Sequence, residues 1–94
     1  MKSKDKKIGE DWVMQTGGDG AIMTGGDWAI MTGGDNATLT GGYGAIMTVG
    51  DNATLTWKIW DGQFFRLTTV YVGENGIKPN TAYKLVNGEV IEAS

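Results

Sequence analysis

Between Gly9 and Thr56 the sequence divides into six units of eight residues, without insertion or deletion: "GEDWVMQT", "GGDGAIMT", "GGDWAIMT", "GGDNATLT", "GGYGAIMT" and "VGDNATLT". The eighth place is always threonine (Thr16, Thr24, Thr32, Thr40, Thr48 and Thr56), and the fifth is always Ala or Val. The third is Asp in five units and Tyr43 in one; the seventh is Met or Leu in five and Gln15 in one. No other feature restricts the fold so tightly. A unit this short cannot bury an apolar face alone, so near-identical units must stack and cover one another.

Each unit has two chemical halves. Places one to four, such as "GGDN", are Gly, Asp and Asn, which build turns and tolerate positive φ. Places five to eight, such as "AIMT" or "ATLT", alternate as a short strand does. One alternating set is wholly apolar and predicts the interior: Ala21, Met23, Ala29, Met31, Ala37, Leu39, Ala45, Met47, Ala53 and Leu55. The other set, Ile and Thr, predicts the exterior. "GDNATLT" recurs after sixteen residues, at Gly34 and Gly50, so the larger repeat is a pair of units. Two strands and two turns then form one flattened coil, with Asn36 over Asn52 and Trp12 under Trp28. The expected architecture is all-β: a short flattened β-solenoid of about three sixteen-residue coils, two strands per coil. Three coils at about 4.8 Å per step make a body only ~14 Å long. Gln15, the polar exception inside, falls in the first coil, where an open end meets water.

A stacked sheet leaves an unpaired edge that invites aggregation unless something covers it. After Thr56 the units cease. "WKIWDGQFFRLTTVYV" surrounds Asp61-Gly62 and "YKLVNGEVIE" surrounds Asn87-Gly88, both hairpin signals. Residues 57–94 are therefore read as capping antiparallel β-hairpins, with Trp57, Trp60, Asp61, Gly62, Phe64 and Phe65 as the cap residues. Residues 8–56 are the octad-repeat solenoid. Residues 1–7, "MKSKDKK", with four lysines, are read as a flexible basic arm.

With this register in place, the sequence resembles the bacterial ice nucleation proteins. Their repeats are sixteen-residue pairs in which a "GYG" turn precedes a "T-x-T" strand. "GGYGAIMT" (41–48) and "VGDNATLT" (49–56) are similar to those two half-units. "GDNATLTWKIWDG" (50–62), "VGENGI" (72–77) and "AYKLVNGEV" (82–90) are similar to the family's C-terminal capping region. The likeness spans about residues 17 to 92. It implies a β-solenoid whose outer threonine rows order water, a tyrosine seam between copies, and a place on the bacterial outer surface, although this chain carries no signal peptide or anchor. "T-x-T" itself stands only at Thr38/Thr40 and Thr54/Thr56; the other units read "I-x-T" or, in the first, "M-x-T".

Three functional readings remain open. The first is a water-ordering or ice-binding face, weak unless assembled. It would use Thr38, Thr40, Thr54, Thr56, Thr24, Thr32, Thr48, Ile22, Ile30 and Ile46. The second is a self-assembling module without ice activity. Its homo-oligomer seam would include Tyr43, Trp12, Trp28 and Met14, the last in an apolar row with Ile30 and Ile46. The third is a calcium-stabilised solenoid, since Asp19, Asp35 and Asp51 recur at the coil period. Against it, the period is eight rather than nine, and Asp bonding its own backbone in a turn accounts for the column. With no Cys, no His and no phosphate-binding lysine loop, the expectation is no catalytic residue, no cofactor and no metal. From Ile8 to Trp57 there is no Lys or Arg, which speaks against nucleic acid, and no apolar run is long enough for membrane insertion.

Overall fold

The computed structural model describes residues 6–8 by their backbone and residues 13–93 in full. Ten strands account for its order: β1 (Lys6–Ile8), β2 (Met14–Thr16), β3 (Ile22–Thr24), β4 (Ile30–Thr32), β5 (Thr38–Gly41), β6 (Ile46–Thr48), β7 (Thr54–Trp60), β8 (Phe65–Tyr71), β9 (Ala82–Val86) and β10 (Glu89–Glu92). They form two five-stranded mixed sheets, β1-β3-β5-β7-β8 (sheet one) and β10-β9-β6-β4-β2 (sheet two). The fold is all-β, with no helix among the described residues, and hence none long and apolar enough to cross a membrane.

The strands of the repeat are parallel, and each pairs with the strand sixteen residues on. Ile22 lies beside Thr38 and Thr38 beside Thr54 in sheet one. Met14, Ile30 and Ile46 follow the same register in sheet two. Consecutive units alternate between the sheets, and their inward residues meet in one core. All ten apolar positions named above are buried, at 1% exposure or less. The period of two along each strand and the period of sixteen between strands are thus both realised.

The turns carry an equally regular ladder. The fourth place of each described unit is left-handed: Gly20, Trp28, Asn36, Gly44 and Asn52 all have φ between 61° and 75°. In the first three, the N–H donates to the third-place carbonyl of the unit sixteen residues on: Gly20 to Asp35 (2.7 Å), Trp28 to Tyr43 (2.7 Å) and Asn36 to Asp51 (2.8 Å). The second-place glycines bond directly to one another, Gly34 N–H to Gly18 O and Gly50 N–H to Gly34 O, both at 3.1 Å. The aspartates differ from the expected turn pattern. Their Oδ1 atoms accept from the backbone one level further on: Asp19 from Asp35 N–H, Asp27 from Tyr43 N–H and Asp35 from Asp51 N–H, each 2.9 Å. Stacked turns expose a fresh N–H at each level, and the carboxylate reaches it more readily than an amide of its own turn.

The repeat ends by substitution of partners. Each fifth-place carbonyl normally accepts from the next level, as Ala21 O from Thr38 N–H and Ala37 O from Thr54 N–H. At Ala53 the donor is Val72 N–H (3.0 Å), because β8 pairs antiparallel with β7. At Ala45 no further unit exists, and the indole Nε1 of Trp57 donates instead at 2.9 Å. β9 runs antiparallel on β6, setting Tyr83 beside Met47. Val72, Ile77 and Tyr83 are buried against the core. The Tyr83 hydroxyl accepts from Lys78 N–H at 2.8 Å and fixes the 76–78 crossing.

Two expectations need correction. Of the cap aromatics named from sequence, only Trp57 is buried; Trp60, Phe64 and Phe65 are exposed, because β7 and β8 project past the repeat and leave these rings no opposing layer. Covering falls to Val72, Ile77 and Tyr83. The expected arm of residues 1–7 also ends earlier, since Lys6 and Lys7 belong to β1, parallel to β3. The free polar groups along the β3 edge favour such a partner. Residues 1–5, 9–12 and 94, Trp12 among them, lie outside the described residues.

Gln15 is buried as its inward place requires. Its Nε2 donates to Thr24 O at 3.1 Å, while Oε1 is buried without a partner among the described residues. Gln15→Met would restore the side chain found at Met23, Met31 and Met47. The expected gain is about 1 kcal/mol, because an unsatisfied buried acceptor is removed. A thermal melt a few degrees above the parent's would register it; a fall would show that the Thr24 bond matters more.

The Asp61 turn carries a pH signature. The loop spans four residues, Asp61 to Phe64, since Trp60 pairs with Phe65. Asp61 Oδ1 accepts from Phe64 N–H (2.7 Å) and Gln63 N–H (2.8 Å), and Oδ2 from Arg66 Nε (2.6 Å). The Phe64 amide first, then the Arg66 guanidinium and the Gln63 amide, hold its carboxyl below the usual range. A lowered folded-state pKa stabilises above the unfolded carboxylate range and loses that contribution as pH falls through the lowered value. The melting-temperature difference between the parent and Asp61→Asn should therefore be larger at pH 7 than near pH 2. An unchanged difference would contradict this account.

Candidate water-facing surface

The outer face of sheet one is built by alternation alone. If Leu39 and Leu55 point inward, Thr38, Thr40, Thr54 and Thr56 must point outward. The register then stacks them into two columns. Thr24, Thr40 and Thr56 form one, continued by Thr69 of β8; the Thr56 and Thr69 hydroxyls are 3.0 Å apart. Ile22, Thr38 and Thr54 form the other, continued by Tyr71. Neighbouring columns are roughly 7 Å apart and successive rows about 4.8 Å. The result is a regular array of hydroxyl and methyl groups. Its side chains are half-buried or exposed, and over Thr24, Thr38, Thr40, Thr54, Thr56 and Thr69 it carries no charge.

The ten residues expected to face water do not share one surface. Thr24, Thr38, Thr40, Thr54, Thr56 and Ile22 lie on sheet one, whereas Thr32, Thr48, Ile30 and Ile46 lie on sheet two. On sheet two a threonine column (Thr16, Thr32, Thr48) runs beside an apolar column (Met14, Ile30, Ile46). Both "T-x-T" strands fall on sheet one because their units are sixteen residues apart. Thr69, donated by β8, was missed from sequence. Its signal was available: "LTTV" places a threonine four residues past Phe65, so alternation puts both on one face of β8.

The expected seam residues also separate. Met14 is 76% exposed at the outer edge of sheet two. Trp28 and Tyr43 sit on the turn edge, edge to face with ring centroids 5.2 Å apart. Trp28 N–H donates to Tyr43 O at 2.7 Å. Trp28 is the only bulky residue at the left-handed fourth place among the described units, with φ 66°. That conformation costs roughly 1–2 kcal/mol for a side chain of this size. Gly44 is required beneath it, since a Cβ there would come within 2.8 Å of the indole Cδ2 and closer still to its six-membered ring.

No group of three or more Asp, Glu, His or Cys among the described residues is placed to hold a metal ion. Asp19 and Asp35 each spend Oδ1 on a backbone N–H, which leaves a poor start for a calcium cage needing six or more oxygens. Comparison with family models, with curated proteins and with solved structures finds no match to this chain.

Proposed function

We propose that this chain is a short β-solenoid of the ice-nucleation type, non-catalytic, whose sheet-one face orders water weakly as a single copy and more strongly when copies assemble. The observation that carries the reading is the common face of Thr38, Thr40, Thr54 and Thr56, extended by Thr24 and Thr69. Hydroxyls fixed at regular intervals on a rigid β-surface hold water in register with themselves, and neighbouring methyl groups order the water between them. Templating grows with area, so four strands, spanning about 14 Å, set a low ceiling on one copy. Replacing Thr38, Thr40, Thr54 and Thr56 together by Lys keeps the strands solvent-exposed but disrupts the lattice. Droplet-freezing temperatures measured on the parent and this variant test the proposal: the parent should freeze warmer than buffer and the variant should not. Equal freezing in both would refute it.

A second reading is supported by the apolar column of sheet two. Met14, Ile30 and Ile46 run side by side, with Met14 widely exposed, as an interface between copies would require. In this reading the chain is an assembly module and the threonines serve β propensity. Sedimentation equilibrium of the parent against Met14→Lys/Ile30→Lys separates the two. A parent dimer lost in the variant supports the seam, and a parent monomeric at high concentration removes it.

A further inference from the structure

Where the turn edge meets the β9–β10 hairpin lies a groove of about 390 Å3. Trp28, Tyr43 and Ile46 line it together with Ile59, Leu85 and Val86, and Asn87 and Gly88 of the hairpin turn border it as well. The volume lies within the range of small-molecule sites, and the lining is mainly apolar. One charged group borders it, Lys84, which is half-buried on β9. Among residues 13–93 the other cations are engaged: Arg66 with Asp61, Lys78 with Glu92, and Lys58 over the Phe65 ring. Lys84 has no carboxylate partner among the described residues. The chain around it is acidic overall, with net charge −3, so such a cation beside an apolar groove is a specific feature.

The Trp28 backbone is a second, independent observation. The other described units place Gly or Asn at this left-handed position, and Trp28 takes it without entering the core, remaining 42% exposed. The ring borders the groove, set edge to face with Tyr43 and cleared by Gly44.

We infer that this groove binds a small amphipathic anion, a ring-bearing apolar body carrying one sulfonate or carboxylate. The body packs on Trp28, Tyr43, Ile59 and Leu85, and the Lys84 ammonium meets the charge. Sugars fit less well, because the uncharged polar side-chain groups on the lining are three, the Asn87 amide, the Tyr43 hydroxyl and the Trp28 indole N–H, against a mainly apolar surface. The site is separate from the threonine face and does not depend on the water-ordering reading.

Fluorescence titration with 1-anilinonaphthalene-8-sulfonate, and with its uncharged counterpart N-phenyl-1-naphthylamine, tests both halves of the inference. The parent should bind the sulfonate about tenfold more tightly than the neutral probe, as one charge-assisted contact warrants. Lys84→Met should bring the sulfonate to the neutral probe's affinity and leave the neutral probe unchanged, while Lys58→Met changes neither. Trp28→Asn, which suits the left-handed backbone, should weaken both probes. Val86→Glu, also on the lining, should weaken the sulfonate selectively and serves if Trp28→Asn fails to fold. Equal affinities in the parent, no saturable binding, or an unaffected Lys84→Met would each overturn the inference.

Discussion

Gly34→Ala and Gly50→Ala should each destabilise the protein by about 2–3 kcal/mol, whereas Gly18→Ala should change stability by less than about 0.5 kcal/mol. The three glycines hold the same place in their units, so sequence alone treats them alike. A Cβ on Gly34 would approach Asp19 N to 2.8 Å and Gly18 C to 2.9 Å, and would overlap the Asp19 carboxylate. On Gly50 it would meet Asp35 N at 2.9 Å and overlap the Asp35 carboxylate. Those atoms belong to the level below, held at strand spacing by the parallel ladders, and cannot retreat without breaking them. The carboxylates are also the acceptors of the Asp35 and Asp51 amides. Around Gly18 nothing among the described residues lies within 4 Å, so a methyl group there meets none of them. For a domain of this size the loss corresponds to a drop in melting temperature on the order of 15 °C. Thermal melts of the three variants side by side check it; equal losses at all three positions would mean that local turn conformation, not stacking, demands glycine.

Trp57→Ala should cost more, about 3–5 kcal/mol, and leave a substantial fraction unfolded at room temperature. Trp57 is fully buried and sits beside Gly41 in register, where the repeat would otherwise begin another unit. Its removal opens a cavity at the end of the core and orphans Ala45 O, whose donor is the indole N–H. Trp57→Phe separates the two effects. It keeps most of the ring volume and loses the hydrogen bond, and should cost about 1–3 kcal/mol. Urea unfolding of both variants provides the measure. If Phe were tolerated without loss, the indole bond to Ala45 would contribute nothing to closing the stack.

The repeat was legible because its signals are local. Alternation in "AIMT" and "ATLT" assigns each side chain to a face, and a two-residue period leaves no ambiguity about Met23 or Leu39. The hairpin at Asn87-Gly88 was equally plain: both residues have positive φ, and Val86 pairs with Glu89 across a two-residue turn. At Asp61-Gly62 the same cue misled by two residues. The Asp61 carboxylate collects the Gln63 and Phe64 amides and so holds a wider loop. The aromatic cap was overestimated for a different reason. Hydrophobicity states that Phe64 or Trp60 gains from burial, but not whether a layer exists to bury it.

The candidate site divides in the same way. The threonine columns follow from the unit length and the sixteen-residue period, so the placing of Thr38 beside Thr54 needs nothing but their spacing along the chain. That Thr32 and Thr48 lie on the other sheet follows from the alternation of consecutive units between two sheets, which the repeat implies only once that arrangement is known. The groove at Trp28 was beyond reach. Its lining comes from residues 28, 43, 44, 46, 59 and 84–88, and no local pattern joins them.

By itself, then, the sequence determined which residues are turns, which strands, which face each side chain takes and how far along the chain its neighbour lies, because all of these are set by short-range periodicity and backbone preference. The tertiary structure alone decided how the repeat stops, what the aspartates bond and which distant residues line a groove. Those outcomes depend on which polar groups and apolar surfaces remain unsatisfied after stacking, and that balance exists only when distant parts of the chain meet.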